Sequence, residues 1–466
     1  MPGSILRKRV LSPLSRVADL VRHLDEKLQG NPPIPNVLLA VDAARGSLVS
    51  YLNTHLKSRI QAKALTLKIL NLLIAKYHFH ARSEAVFSRP FGLIVDPANG
   101  CNLPCPGCVH SEHSSTLKLF DWDKGMLCEE RFQALLRQYG ADAVQIVFCN
   151  YGEPTANLKT PKFIELAKSY LIQTVLSTNL TIGRFDAEAY VASGLDFMYL
   201  SIDGATQPVY EQFRRNGNID LVYENIGKLV DAKKRLGRRT PILRWQFLAF
   251  QHNEHEIPMA IERARQLGLD QFAVETPFDV SWDAAGVRVS RVPAAAYELT
   301  PDTESALKQN FTSKLAEIEL EEVEREFSRG WAEAARVWRE PSRDLLGASF
   351  RSAPTCSWLY KNMVMDANGR ILPCCGAPRP DLHLVFSHFP AETDCFNSGD
   401  YQKARSHFAY KAATSLHGNS VSAENLPYCV NCDWDHHHTE IGRDQVALYL
   451  RTAGIPPMAI HLLADW

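Results

Sequence analysis

The chain has 466 residues, of which 45% are hydrophobic and 22% charged, the balance of a soluble globular protein with two or three cored domains. A formal net charge of −1 excludes a global pull toward nucleic acid or an anionic membrane. Eleven cysteines are more than an ordinary core needs, and their placement carries the argument.

The opening "MPGSILRKRVLSPLSRVADLVRHL" is basic and amphipathic, without the apolar core and cleavage site of a secretory signal. It reads as a solvated helix face. Residues 1–88 form a helical region, with apolar positions at helical spacing through "NVLLAVDAARGSLVSYLNTHLKSRIQAKALTLKILNLLIAKY". Its most apolar window, Ala64–Ala75, is too short to span a bilayer and carries Lys68, so no transmembrane segment is expected. The location expected is cytoplasmic, where cysteines serve metals or catalysis more than disulfides.

From Phe91 the pattern alternates strands and helices. "FGLIVDP", "AVQIVFCNYGEP", "IQTVLSTN", "DFMYLSID", "ILRWQFLAF" and "QFAVETP" are strand-length runs separated by helix-like segments, two of which end in a capping glycine. "NEHEI" supplies the capping start of the last helix. Six repeats across 89–280 predict an α/β fold, a partial (β/α)6 TIM-like barrel, since a full eight-fold barrel takes about 250 residues. Helical segments follow over 281–345, then a small cysteine-rich domain over 346–440 and a tail, 441–466, that docks back as a short helix.

In such barrels chemistry sits beyond the C-terminal strand ends. "CNLPCPGCVH" places Cys101, Cys105 and Cys108 after the first strand. Structural cysteines, half a zinc site or a metal site with one open position all satisfy that spacing. The surrounding residues discriminate. Gly152-Glu153-Pro154 follows the second strand, Ser177 and Asn179 end the third, and Ser201 and Asp203 end the fourth. With these, residues 90–277 resemble the radical S-adenosylmethionine enzymes.

That resemblance implies a four-iron four-sulfur cluster on Cys101, Cys105 and Cys108, whose open iron chelates S-adenosylmethionine. It implies cofactor contacts from Gly152, Glu153, Pro154, Ser177, Asn179, Ser201 and Asp203, with Arg215, and Arg214 beside it, as candidates for the methionine carboxylate. Helix capping is the plainer reading of Asp203. Two positions depart from the family pattern: Gly107 replaces the usual aromatic before the third cysteine, and Tyr151 replaces the first glycine of Gly-Gly-Glu-Pro.

A second set is Cys356, Cys374, Cys375, Cys429 and Cys432. "MVMDANGRILPC" reads as a hairpin, and hairpin cysteines with a distant C-x₂-C make a four-sulfur site open to zinc or an iron–sulfur cluster. Cys356, Gly369 and Cys374 resemble the opening of a SPASM extension. This implies one auxiliary four-iron cluster on Cys356, Cys374, Cys429 and Cys432, with Cys375 as substitute for Cys374 and His438 as a further candidate. Cys128, Cys149 and Cys395 read as core, and "YHFH" (Tyr77–His80) and His436–His438 as solvated tracts.

The expected function is reductive cleavage of S-adenosylmethionine to a 5′-deoxyadenosyl radical that abstracts a substrate hydrogen, with ferredoxin or flavodoxin as electron donor. A peptide or protein side chain is the favoured substrate, and a sugar or other small metabolite the alternative. A non-enzymatic iron–sulfur or zinc sensor is the reading from another class; it leaves the strand-end residues unexplained.

Overall fold

The computed structural model describes residues 13–30, 32–56, 58–111, 123–277, 286–314, 356–375, 385–391, 394–414 and 442–465. It opens with three helices, α1 (Pro13–Gln29), α2 (Ile34–Leu56) and α3 (Arg59–Ala81). Ser58 caps α3 by accepting from the Gln61 N–H, and Arg82 ends it in the left-handed region. Ala62 to His78 are buried without a break. Such a helix, apolar all round, belongs inside a protein.

The six expected strands form in sequence: β1 (Gly92–Val95), β2 (Gln145–Phe148), β3 (Gln173–Thr178), β4 (Phe197–Ser201), β5 (Ile242–Leu248) and β6 (Gln271–Glu275). They pair in parallel and in chain order. Between them run α4 (Glu129–Tyr139), α5 (Thr160–Lys168), α6 (Ala187–Ala192), α7 (Gln207–Phe213), α8 (Ile219–Arg235) and α9 (Ile257–Leu267). Gly268 closes α9 at φ 76°, a conformation glycine adopts without strain. The sheet stays open, which is the partial barrel expected.

Its edges were less legible. β7 (Ala295–Glu298) adds antiparallel to β6, and α10 (Thr303–Lys314) follows. After the short α11 (Trp358–Lys361) the expected hairpin forms as β8 (Asn362–Met365) and β9 (Arg370–Leu372), with β10 (Ser387–His388) beyond. β8 pairs in parallel with β1, Leu93 opposite Met363, so the cysteine-rich region extends the barrel's own sheet. α12 (Gly399–Thr414) packs beside it. The tail forms two helices, α13 (Arg443–Thr452) and α14 (Pro457–Ala464).

The pleat splits the core in two. Leu93 and Val95 of β1 and Met363 and Met365 of β8 join the cluster under α4–α9. Ile94 and Val364 turn the other way, into a second cluster with α1–α3, α13 and α14. Lys68 donates to the Gly140 carbonyl at 3.0 Å and to that of Ala143 at 2.5 Å, tying α3 to the barrel. The "YHFH" segment is solvated only at its end: His80 is exposed, while His78 is fully buried and its Nε2 accepts from the Phe87 N–H at 3.2 Å. Among the described residues no helix is long and apolar enough to cross a membrane.

Candidate radical S-adenosylmethionine site

The cysteine loop leaves β1 through Asp96 and Asn99, both buried. The Asp96 carboxylate accepts from the Tyr151 N–H at 3.1 Å, and Asn99 Oδ1 accepts from the Ala367 N–H at 2.8 Å. Gly152 packs directly under the loop: a Cβ there would lie 1.7 Å from the Ala98 carbonyl oxygen. The Glu153 N–H then donates to the Gly100 carbonyl at 2.9 Å. The Gly-Glu-Pro segment therefore holds the start of the cysteine loop.

The Glu153 side chain ties β2 to β3. Its Oε1 accepts from the Thr155 and Thr178 hydroxyls, each at 2.6 Å, and Oε2 from the Asn179 N–H at 2.9 Å. Pro154 begins a single 3-10 turn that Glu153 caps. Asn179 Nδ2 lies 3.0 Å from Asn102 Oδ1 and 3.6 Å from Cys101 Sγ. Ser177 and Ser201, on neighbouring strands, set their hydroxyls 3.3 Å apart.

Cys101, Cys105 and Cys108 border one apolar cluster of Leu103, Phe213, Phe250 and Val287. Asp203 is fully buried. Its Oδ2 accepts from Arg214 Nε at 2.5 Å and its Oδ1 from the Leu248 N–H at 2.7 Å. Arg214 Nη1 reaches Cys105 Sγ at 3.9 Å. Asp203 thus does not cap α7. Glu256 accepts from the Ala205 N–H at 2.6 Å and from the Thr206 hydroxyl, so it fixes the turn that leads into α7, instead of capping α9 as "NEHEI" suggests. Of the two arginines, Arg214 faces the cysteines while Arg215 lines a solvent-open cleft.

Burial pushes the Cys101 thiol up to about 12, with Glu153 adding to it. It pushes Cys105 up to about 11 against the pull of Arg214, and raises Cys108 as well. Three neighbouring thiols that resist ionisation in a half-buried pocket become ligands only against strong positive charge, which an iron–sulfur cluster provides. By its thiol chemistry, though not as three sulfurs already drawn around one point, the donor set suits such a group. Among the described residues, no set of three His, Cys, Asp or Glu side chains is grouped to hold a metal ion.

Of the second set, Cys356, Cys374 and Cys375 border the core cluster that contains Tyr151. The Tyr151 hydroxyl donates to the Cys375 carbonyl at 3.4 Å, and His110 Nε2 meets the Tyr151 carbonyl at 2.5 Å. Tyr151 therefore stands between the end of the first cysteine loop and the hairpin cysteines. Cys149, half-buried at the end of β2, has the ionisable Asp96, Cys375 and Glu153 as neighbours. Cys395 is core, as expected. Cys429, Cys432 and His436–His438 lie outside the described residues. Sequence reasoning missed the contacts of Asp96, Asn99 and Glu256. The local signal for Asp96 is a carboxylate placed directly beyond β1; Asn99 and Glu256 carry none.

An open parallel α/β sheet with a three-thiol loop at its strand ends defines a class of cluster-dependent barrel. The family profile described as the Radical SAM superfamily matches residues 95–244, and the chain carries a radical SAM domain there. No curated protein matches the chain. Among solved structures, it is similar to Streptococcus suis SuiB bound to S-adenosylmethionine, at 15% identity over 66% of this chain and 64% of that one, with TM-score 0.40. It is similar also to native anSMEcpe with bound AdoMet and Cp18Cys peptide, at 15% identity over 74% and 87%, TM-score 0.40. A third is BtrN in complex with AdoMet and 2-DOIA, at 11% identity over 74% and 94%, TM-score 0.36. The chain spans just under two thirds of SuiB's length in the first of these.

Proposed function

We propose that the protein is an enzyme that cleaves S-adenosylmethionine reductively to a 5′-deoxyadenosyl radical and uses it to take a hydrogen from a peptide or protein side chain. The observation that carries this reading is the packing of Cys101, Cys105 and Cys108, beyond the C-terminal end of β1, beside Asn179 after β3, the buried Asp203 after β4 and Arg214 at the end of α7. When bound, a four-iron cluster supplies the electron and an open coordination position for the cofactor.

The chain's own residues do the positioning. Cys101, Cys105 and Cys108 would hold the cluster. Gly152 and Pro154 carry the backbone that approaches the loop, and Glu153 fixes the ends of β2 and β3. Ser177, Ser201 and Asn179 offer hydroxyl and amide groups for the cofactor's polar edge. Arg214, charged and steered by Asp203, is placed to meet a carboxylate, with Arg215 further out. Leu103, Phe213, Phe250 and Val287 keep water from one side of the thiols.

Cys356 and Cys374, with Cys429 and Cys432, are proposed as ligands of one auxiliary four-iron cluster. Their shared border with Tyr151 supports a location close to the first site. A ferredoxin or flavodoxin would deliver the electron.

Anaerobic reconstitution with iron and sulfide, followed by dithionite and S-adenosylmethionine, tests the reading. 5′-Deoxyadenosine should form with the intact chain and not with Cys105→Ala. Its absence from the first, or its formation by the second, rejects the proposal. Loss of one cluster's iron in Cys356→Ala with retention of the other would support the auxiliary site.

A further inference from the structure

Arg215 lines a cleft of about 520 Å³ together with Glu211, Gln212, Gln251, His252, Val287 and Arg288. Three segments far apart in sequence build it. One is the end of α7, the second is Gln251 and His252 beyond β5, and the third is the stretch from Gly286, held to the second by a Phe250–Val289 bridge and a 2.9 Å bond from the Gln251 N–H to the Arg288 carbonyl. The cleft shares a wall with the thiol site: Val287, which lines it, packs with Phe213 and Phe250 against Cys105. The His252 ring stacks on Phe250 at 5.6 Å between centroids.

The charges of the cleft are unbalanced. Among the described residues neither Arg215 nor Arg288 has a carboxylate partner, in contrast to Arg214 and Arg244. The single acid, Glu211, already accepts from Gln207 Nε2 at 2.8 Å. His252 Nε2 is buried and has no hydrogen-bond partner among the described residues. Among the described residues, two guanidinium groups without a carboxylate partner and an imidazole nitrogen without a hydrogen-bond partner line one opening. Guanidinium groups recognise carboxylates through paired hydrogen bonds. The volume suits one or two residues of a ligand that continues into solvent past the exposed Gln212, Gln251 and Arg288.

We infer that this cleft binds a carboxylate of the substrate peptide, an acidic side chain or a chain terminus, and so anchors the peptide one side-chain layer from the thiol site. The inference rests on the proposed peptide-modifying radical reaction and adds the chemistry that selects the peptide. An anchor remote from the reacting atom is an efficient use of binding energy, since it holds the substrate without altering the reacting groups.

Calorimetry on the reconstituted full chain tests it with three probes. They are a Ser–Glu alternating peptide blocked at both ends, its blocked Ser–Gln counterpart, and the Ser–Gln peptide with a free terminal carboxylate. The first or third should bind at least roughly tenfold more tightly than the second. Which of the two does so tells a side-chain acid from a terminus. Arg288→Gln and Arg215→Gln should each remove roughly tenfold of that preference, while Arg238→Gln, an exposed arginine elsewhere, should leave it unchanged. Equal affinity for all three probes, no binding of any, or an equal loss in Arg238→Gln overturns the inference. 5′-Deoxyadenosine formation by the unmutated chain without peptide, measured in parallel, reports on the proposed radical reaction separately.

Discussion

Arg214 Nε donates to Asp203 Oδ2 at 2.5 Å, and the same guanidinium reaches Cys105 with Nη1. The carboxylate is fully buried, so deleting it strands a positive charge beside the thiols. Asp203→Ala should lose about 3–5 kcal/mol. Asp203→Asn, which keeps an acceptor for the Leu248 N–H, should lose less. Urea denaturation of the two variants and of Arg214→Ala, run as a double-mutant cycle, measures the coupling. A coupling near zero would mean that solvent screens the pair.

Gly152 and Gly227 make a matched contrast. A methyl group on Gly152 overlaps the Ala98 carbonyl, while one on Gly227, inside α8, meets nothing within 4 Å. Gly152→Ala should cost about 1–3 kcal/mol and lower iron uptake by the displaced loop. Gly227→Ala should stabilise by about 0.5–1 kcal/mol. Urea midpoints and bound iron per chain check both. A neutral Gly152→Ala would refute the close approach.

Asp96 gives a pH signature. Burial, with Asp366 adding, pushes its carboxyl up to about 8 against the N–H groups of Tyr151 and Gly152. An unfolded aspartate titrates near about 3.9. Between those values the folded chain keeps a proton that the unfolded chain releases. The contribution of Asp96 to stability is therefore full below about pH 4 and is lost as pH rises toward 8. Asp96→Asn should flatten the fall of the urea midpoint from pH 5 to pH 8. Parallel curves for the two proteins would contradict the assignment.

The Tyr151 hydroxyl meets the Cys375 carbonyl, beside the hairpin cysteines. Tyr151→Phe removes one hydrogen bond and should cost about 0.5–1.5 kcal/mol. Tyr151→Gly opens a ring-sized void and should cost about 3–5 kcal/mol. Thiol-labelling rates at Cys375 and Cys149 should rise in the second variant and stay unchanged in the first. A rise in both would place the shielding in the hydroxyl and not in the ring.

The six parallel strands were legible because a strand covered on both faces is a continuous apolar run. The hairpin at β8 and β9 was legible from its Asp-Ala-Asn-Gly turn, with Gly369 at φ 89°. What the hairpin pairs with was not, because the Leu93–Met363 partnership leaves no mark in either local sequence. His78 was misread for a related reason: α3 has no polar face to set its histidines apart from core. Glu256 bonds the turn before α7 and not the start of its own helix, a role local capping rules cannot foresee. Arg214 and Arg215 are identical neighbours, and only the end of α7 decides which one turns toward Asp203.

α3 is covered on one side by α14, where Lys76 Nζ donates to the Leu462 carbonyl at 2.8 Å and pairs with Asp25. Leu462 comes 386 residues after Lys76. At roughly 5–20 residues per second, a ribosome needs about 20–80 s to travel that distance. For that interval the nascent chain holds α3 packed against α1 and α2 but with its α14 side uncovered. Chaperone demand during biosynthesis should therefore centre on α3, and should end only when the last two helices emerge.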